Sequence, residues 1–327
     1  MTMVQQSFDR ERVVNTSFAD LDLALVSQTM RQGSETGRYA GPLDPRAYLI
    51  RYGGVVADGE ELYPTVAGVL AFTHEPDRWL TASGIDIALY RAEQLSPTQA
   101  RVRQVRGSIF TVIDSAYAIL KEACTISRQE DARVVDDLDT PGIVLRELTT
   151  NAAVHRDLSV FGSQVRIQVF PRYIEWSSPG GLPSDITIET LLTAQFSRNP
   201  GLAQFLFHAG YIEKFGMGLD VVSDTLRRAK LGTPEFHDDR HSFRVRVYRG
   251  AAPASESIPQ SARVNAILAL FAERPIWRQR ELLDRLRVPR STLQRDLDML
   301  VAQGQLAASG ATRSRVYSLP DDRSAEA

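Results

Sequence analysis

Cysteine, histidine and long apolar runs are all scarce in this 327-residue chain. Cys124 is the single cysteine, which excludes an internal disulfide and any zinc site built from a cysteine cluster. The five histidines are scattered and show no metal-ligand spacing. The longest apolar runs, such as Val66–Phe72, fall far short of the roughly 18 to 20 residues that span a bilayer, and the first residues are too polar for a signal peptide. We therefore expect a cytoplasmic protein with no membrane partner.

The chain also has no large excess of charge of one sign, because it contains 38 basic and 40 acidic residues. The balance is uneven along the chain, since residues 261–319 carry ten arginines and only five acidic residues. A basic module on an acidic body is typical of a nucleic-acid-binding appendage, because clustered arginines release counterions from phosphates. A solvated, arginine-rich helical surface would explain the same charges.

The length predicts two or three domains at roughly 100 to 200 residues each. Two stretches are predicted linkers: 127–139, which is dense in charge, and 250–261, an Ala, Pro and Ser tract. They leave an N-terminal mixed α/β region at 1–126, a second domain at 140–249 and a C-terminal domain at 261–319. The N-terminal region contains no residues with catalytic spacing.

Local signals in the N-terminal region predict short helices and a strand. They are a capping box at Ser17 and Asp20, a helix start at Asp44-Pro45, a helix over Val66–Phe72, a strand over Ile85–Tyr90 and a helix from about 107 to 123.

In the second domain the pattern predicts the order helix, strand, strand, long loop, helix, strand. The first helix is capped by Thr140-Pro141 and runs to about His155. Glu147, Asn151 and His155 are spaced four residues apart, so they share one polar edge of this helix. An amide oxygen and a carboxylate one turn apart suit a site where Asn151 holds Mg²⁺ and Glu147 orients water toward a phosphoryl group. A solvated helix edge is the alternative.

Glycine pairs follow at two later points. Gly180 and Gly181 come after a predicted strand, and Gly216 and Gly218 stand where a helix begins, so both pairs let the backbone approach a ligand. In this order the residues resemble the GHKL ATPase fold of gyrase, the heat-shock chaperone, histidine kinases and mismatch-repair proteins. The resemblance implies an α/β sandwich that binds ATP and Mg²⁺, with Glu147-x-x-x-Asn151 as the N-box and the glycine pairs as two glycine boxes around an ATP lid.

Four motifs narrow the resemblance to a divergent, RecG-like ATP-binding domain of predicted bacterial transcriptional regulators, often found with a Schlafen-type AlbA domain, which we do not find here. They are NAAVHRDLS at 151–159, EWSSPGGLP at 175–183, FSRNP at 196–200 and KFGMGL at 214–219. In typical GHKL enzymes the first glycine box begins with an Asp that binds the adenine amino group. Ser177 stands at that place and is a weaker acceptor.

Three basic residues of these motifs, His155, Arg156 and Arg198, have alternative interpretations. Arg198 in the lid is a candidate phosphate ligand by its charge, or it merely precedes the helix that starts at Asn199-Pro200. His155 and Arg156 face phosphate, or they pair with Asp157 as plain structure.

Three helices and a strand pair are predicted in the C-terminal domain, in the order of a winged helix-turn-helix. The stretch VPRSTLQRDLDMLVAQGQL at 288–306 resembles bacterial repressor recognition helices, which read bases from their N-terminal residues. The candidate DNA contacts are Arg290, Ser291, Thr292, Gln294 and Arg295 on the third helix and Arg313 and Arg315 on the wing. A winged helix used only for protein contacts is the alternative.

The expected fold class is thus α+β multidomain: an N-terminal α/β region, a GHKL-like α/β sandwich and a C-terminal winged helix. The expected function is an ATP-binding transcriptional regulator that binds double-stranded DNA as a homodimer, with nucleotide modulating its DNA affinity. Two alternatives stay open. One is an active ATPase working on DNA in a repair or defence complex, with Glu147 catalytic, and the other is a vestigial nucleotide fold used for dimerisation.

Overall fold

The structure is a computed structural model, and it describes residues 7–91, 100–130, 133–183, 186–191, 196–213, 218–249, 260–286, 290–309 and 316–320. The chain divides into two compact units, residues 1–252 and 253–327. Each unit has its own cluster of buried apolar side chains. The mixed α+β class expected from the sequence is confirmed.

The first third of the larger unit is mainly helical. Its elements are 3-10 helices at Phe8–Arg10, Phe18–Asp20 and Pro76–Arg78, helices α1 (Leu23–Glu35), α2 (Pro45–Tyr52) and α3 (Val66–Phe72), and strands β1 (Val55–Asp58), β2 (Glu61–Pro64) and β3 (Ile85–Tyr90). The helix start at Asp44 is confirmed, because its carboxylate accepts hydrogen bonds from the backbone N–H groups of Arg46 and Ala47. The capping box at Ser17 is present, but it closes only the short Phe18–Asp20 helix, and Asp22 caps α1.

The remainder of the larger unit alternates strands and helices. Its elements are β4 (Ala100–Val105), α4 (Ile109–Cys124), β5 (Thr125–Glu130), β6 (Arg133–Leu138), α5 (Gly142–Val154), β7 (Val165–Val169), β8 (Tyr173–Pro179), α6 (Pro200–His208), α7 (Gly218–Arg228), β9 (Glu235–Asp238) and β10 (Ser242–Tyr248).

One six-stranded sheet organises this unit, in the order β4-β3-β7-β8-β10-β9. Only one neighbouring pair of this sheet, β3 and β7, is parallel; the other neighbours are antiparallel. Helices α4, α5 and α7 pack together, and α4 and α5 contact β3 and β8. The inward side chains of β7 and β8, such as Ile167 and Trp176, are almost fully buried beneath them.

The sheet crosses the boundary that we expected between the N-terminal region and the second domain. Strands β3 and β4 come from the N-terminal region, and β3 pairs with β7 from Ile85↔Val165 to Leu89↔Val169. The structure therefore differs from the three-part division, because hydrogen bonding between distant strands joins residues 1–126 and 140–249 in one compact unit.

The predicted linker at 127–139 is wrong in its conformation. Strands β5 and β6 form an antiparallel hairpin with register Thr125↔Leu138 to Glu130↔Arg133. This hairpin is a two-stranded sheet of its own. The second predicted linker lies almost entirely outside the described residues.

The smaller unit contains three helices and three strands within its described residues. They are α8 (Gln260–Glu273), β11 (Ile276–Arg278), α9 (Gln279–Leu286), α10 (Arg290–Ala302), β12 (Ala307–Ser309) and β13 (Val316–Ser318). The three expected helices and the strand pair are present. The sequence pattern missed β11, a three-residue strand that pairs with β13.

Within the described residues, no helix is long and apolar enough to cross a membrane. The side chains of the same residues form no cluster of three or more His, Cys, Asp or Glu residues that could hold a metal ion.

Candidate functional site

The polar edge of α5 opens into a cavity of about 260 Å³. Glu147, Asn151 and His155 all line it, as their spacing predicts. Val144, Leu148 and Ala152 of the same helix are buried next to this edge, and Leu148 and Ala152 also line the cavity. Ile143, at the start of the helix, is exposed.

Two side chains of β8 hold α5 against the sheet. The indole N–H of Trp176 donates to Thr149 Oγ1 at 3.1 Å, and the hydroxyl of Ser178 donates to the carbonyl oxygen of Ala152 at 2.9 Å. Both bonds are buried, where a lost partner costs roughly 1 to 3 kcal/mol. The polar edge is therefore held at a fixed height above the sheet.

The carboxylate of Glu147 and the amide of Asn151 form no side-chain hydrogen bond or ion pair with any other described residue. Gly218, the first residue of α7, lies directly against them. A Cβ on this residue would lie 2.6 Å from Glu147 Oε2 and 3.6 Å from Asn151 Nδ2. Glycine at this position brings the N-terminus of α7 up to the polar edge of α5.

Glu147 lies in an environment that disfavours its charge. Burial raises the pKa of its carboxyl above the ordinary value, the carboxylate of Glu213 raises it further, and Arg146 acts in the opposite direction. Glu213 lines the same cavity and pairs with Arg38, whose Nη2 lies 2.6 Å from Glu213 Oε1. The cavity wall thus contains a second carboxylate, which the sequence analysis did not identify.

His155 and Arg156 are adjacent in sequence and have different surroundings. The imidazole of His155 is accessible from the cavity, yet the protein packed around it lowers its pKa, and the Arg198 guanidinium lowers it further. His155 is therefore neutral near pH 7. Arg156 is 5% exposed and donates to the carbonyl oxygens of Ala82, Val160 and Ser163. The suggestion that Arg156 faces phosphate is wrong, because these backbone groups hold its guanidinium in the core.

The first glycine turn has no free backbone donors. The N–H groups of Gly180 and Gly181 donate to the carbonyl oxygens of His241 and Arg240, at 2.8 and 3.2 Å. Gly180 has φ 86°, which glycine adopts without strain, and its missing side chain makes room for Asp157. This turn lines the cavity, but its N–H groups are committed to the β9–β10 connection. Gly216 of the second pair lies outside the described residues.

Arg198 lines the cavity and is folded back on the glycine turn. Its Nη2 donates to the carbonyl oxygen of Gly181 at 2.5 Å, and its Nη1 lies 3.7 Å from Asp157 Oδ2. The Nη1 atom is buried and has no hydrogen bond within the described residues. Arg198 is thus a cation at the cavity whose guanidinium is held by the glycine turn and Asp157.

The serine that lines the cavity is Ser178, and Ser177 lies on the opposite face of the sheet. Side chains alternate along β8, so Trp176 and Ser178 point to α5, whereas Ser177 lies in register with Arg244 and Arg166 on the far face. The assignment of Ser177 to the site therefore does not agree with this geometry. Phe243 and Val245 of β10 complete an uncharged floor.

In the smaller unit, the structure separates the predicted DNA contacts. Gln294 accepts a hydrogen bond from Gln279 at 2.6 Å and donates to Asp298 and Tyr317, so its amide is already occupied. Arg295 is exposed and has no ion pair with the described residues. The first turn of α10 contains Arg290, Ser291 and Thr292, whose side chains are outside the description. Arg313 and Arg315 lie outside the described residues.

Sequence comparison identifies the type of domain around the cavity. Residues 162–247 match the family model described as "Putative ATP-dependent DNA helicase recG C-terminal". The match supports a divergent GHKL-type, RecG-like ATP-binding domain, and this matched segment contains β7 to β10, α6 and α7. It begins after α5, so Glu147 and Asn151 join the domain through the fold.

A crystal structure of the DIP2311 protein from Corynebacterium diphtheriae is similar to this chain, with a TM-score of 0.58 and 18% sequence identity. The similarity covers 97% of this chain and 65% of that protein, so this chain spans less than two thirds of its length. At this identity the likeness concerns the fold. No curated protein matches the chain.

Sequence reasoning missed two polar residues of the cavity, Ser178 and Glu213. Strand alternation contains the signal for Ser178, since it stands two residues after the apolar Trp176 and shares its face. Glu213 had no local signal. It follows α6 in an irregular segment, and only the fold brings it opposite Glu147.

Proposed function

We propose that this protein is a DNA-binding transcriptional regulator whose DNA affinity responds to a nucleotide bound beside α5. One observation carries the proposal: Glu147 and Asn151 lie against the N-terminus of α7, and all three line one cavity in a RecG-like ATP-binding domain. A helix N-terminus offers free N–H groups and a positive dipole end to phosphate, and an adjacent amide and carboxylate are ligands that Mg²⁺ accepts.

The residues at the cavity fit ATP and Mg²⁺. Asn151 and Glu147 have no competing partners among the described residues, so their oxygens are available to a hydrated cation. The uncharged floor of Trp176, Phe243 and Val245 suits a base and its sugar. When bound, Mg²⁺ supplies charge neutralisation of the phosphates.

The chain's own groups then have separate tasks. Asn151 would hold the hydrated cation through its amide oxygen, and the backbone N–H groups at the N-terminus of α7 would donate to the phosphates. Arg198, whose guanidinium lines the cavity, adds a cationic contact. The two glycines of the first turn shape the wall instead of donating to phosphate, since their N–H groups are already bonded.

The DNA-binding part of the proposal rests on the smaller unit. Its order of helix, strand, helix, helix and two strands supports a winged helix-turn-helix, in which α10 would be the recognition helix. Arg280 and Arg295 are exposed and have no ion pair with the described residues. An excess of arginine on a module of this kind is expected for phosphate binding.

Calorimetric titration of the full chain with a non-hydrolysable ATP analogue tests the nucleotide site. We expect binding that requires Mg²⁺ in the wild type and is lost in Asn151→Ala, because the cation loses its amide ligand. The Ser177→Ala variant is the control and should bind as the wild type does, since its side chain lies on the far face of the sheet. Equal affinity in the wild type and Asn151→Ala would contradict the assignment.

Hydrolysis of ATP is a second candidate function, favoured by the position of Glu147. Its carboxylate has a raised pKa and no described partner, which suits a group that takes a proton from water. In this case Glu147→Gln should retain analogue binding and lose steady-state phosphate release. If the wild type releases no phosphate above the Glu147→Gln level, the nucleotide acts as a ligand only.

A further inference from the structure

The contacts of α6 point to a role for the N-terminal region. This helix lies within the matched segment, yet the elements that pack most closely on it are α1, α2, α3 and the short helix at Phe8–Arg10. Its buried face consists mainly of Leu202, Phe205 and Leu206, which are fully buried. Helix α6 is thus part of the ATP-binding domain by sequence and part of the N-terminal layer by packing.

Both ends of α6 lead into the wall of the cavity. Phe196 and Arg198 line the cavity just before the helix, and Ile212 and Glu213 line it just after the helix. A shift of α6 would therefore move both segments together. Whatever holds this helix in place also sets the position of that wall.

The start of α6 is held by Asp9. This side chain is fully buried, and its Oδ2 accepts the backbone N–H of Leu202 at 3.0 Å, while Oδ1 accepts the hydroxyl of Ser7 at 2.6 Å. A Cβ on Gly201 would lie 3.1 Å from the same carboxylate oxygen, so the backbone of α6 packs closely on Asp9 at this point. A carboxylate at a helix N-terminus is stabilised by the helix dipole. Because Asp9 occupies this end, the N-terminus of α6 is not available to phosphate, which leaves phosphate binding to α7.

The far end of α6 is held by two contacts from α1 and α2. The hydroxyl of Tyr48 shares a buried hydrogen bond of 2.7 Å with Nδ1 of His208. Arg38, in the turn after α1, lies over the ring of Phe207 and pairs with Glu213. The second contact involves charge as well as position, since Glu213 shares the cavity with Glu147 and an unpaired carboxylate there would repel phosphate.

We propose that Asp9 and Arg38 are positioning residues of the nucleotide site, which act through α6 and Glu213. The N-terminal region is then a working part of the site, although it lies outside the matched segment and contains no catalytic spacing. The inference rests on the proposed nucleotide function.

The test is the dissociation constant of a non-hydrolysable ATP analogue with Mg²⁺, measured by calorimetry on the full chain at one ionic strength. We expect Asp9→Ala and Arg38→Met each to raise it by about tenfold, within the usual range of coupling between sites. Glu213→Gln removes the repelling charge, so the double variant Arg38→Met/Glu213→Gln should bind as Glu213→Gln does. A purely structural role of Arg38 would not be rescued in this way.

Asp20→Ala is the matched control. Its carboxylate also accepts a backbone N–H in the N-terminal region, from Ser17 at 2.7 Å, but on a short helix that packs on β2. It should lower the melting temperature without changing the dissociation constant. If Asp9→Ala fails to fold, Asp9→Asn keeps the shape of the side chain and decides the same question.

The two failures are distinguishable. Absence of analogue binding by the wild type overturns the proposed function and this inference with it. Binding by the wild type that is unchanged in folded Asp9 and Arg38 variants, or a double variant that is not rescued, overturns the inference alone.

Discussion

Ser177 and Ser178 are neighbours in the sequence and lie on opposite faces of β8. The hydroxyl proton of Ser178 is donated to Ala152, so toward the cavity this oxygen offers only a lone pair. Such an oxygen accepts a hydrogen bond from an amino group, but it forms none with a carbonyl oxygen, which has no proton to donate. The orientation of the Ser178 hydroxyl therefore decides which edge of a base the cavity prefers.

We expect Ser178 to distinguish ATP from inosine triphosphate, which has a carbonyl oxygen where ATP has its exocyclic amine. The wild type should favour ATP by about threefold to tenfold, the worth of one hydrogen bond. In Ser178→Ala the ratio of the two dissociation constants should fall to about one. Ser177→Ala should keep the wild-type ratio, and a loss of preference in that variant would show that the faces of β8 are misassigned.

In the smaller unit, Gln294 and Arg295 are also neighbours in the sequence with different surroundings. Gln294→Ala removes hydrogen bonds to Gln279 and Tyr317, so we expect it to lower the free energy of unfolding by about 1 to 2 kcal/mol. Arg295→Ala should leave stability unchanged and weaken binding to duplex DNA. Fluorescence anisotropy at several salt concentrations measures the second effect, and a lost phosphate contact lowers the salt slope by about one. The opposite pattern would place the DNA contact on Gln294.

The β5–β6 hairpin lies outside the six-stranded sheet. Within the described residues its strands pair only with each other, whereas β7 and β8 are inner strands of the large sheet. An isolated two-stranded hairpin is marginally stable in water. The sequence predicts a linker here because dense charge hides the strand alternation.

Native-state hydrogen exchange should reveal this difference between elements. We expect the backbone amides of β5 and β6 to exchange through local opening at low free energy, and those of β7 and β8 to exchange only near global unfolding. The measurement is exchange followed by mass spectrometry of proteolytic fragments. Equal protection of the two sets would mean that another part of the molecule covers the hairpin.

At the scale of the whole molecule, the two units have separate buried clusters, which allows each to fold without the other. Removal of residues 253–327 should leave analogue binding unchanged and abolish DNA binding. Calorimetry and anisotropy on the truncated chain measure the two effects. Full DNA binding by the truncated chain would show that the smaller unit does not bind the DNA.

Coupling between nucleotide and DNA must be reciprocal. If the ATP analogue with Mg²⁺ changes DNA affinity, DNA changes the affinity for the analogue by the same factor, typically about 5- to 150-fold. Two pairs of titrations at one salt concentration give both factors. Identical affinities in each pair would mean that the units are merely tethered, and the regulatory part of the proposal would fail.

Local chemistry was enough to predict much of this protein. Apolar periodicity predicted α5 with its polar edge, the strands that follow it and the third helix of the smaller unit, because this signal depends on residues close together in the chain. The expected cap of α5 at Thr140 is wrong, because its hydroxyl donates to Asp139 instead. The glycine motifs predicted the type of domain, and the matched segment agrees with it.

Contacts between distant residues were decided by the tertiary structure alone. Only packing shows that Arg156 is held in the core, that the Gly180 and Gly181 N–H groups are already bonded, and that Gln294 is enclosed by its own unit. The same holds for Asp9 and Leu202, which are 193 positions apart in the chain. Periodicity predicts which side chains turn inward, but the partner that each one meets depends on how separate elements pack together.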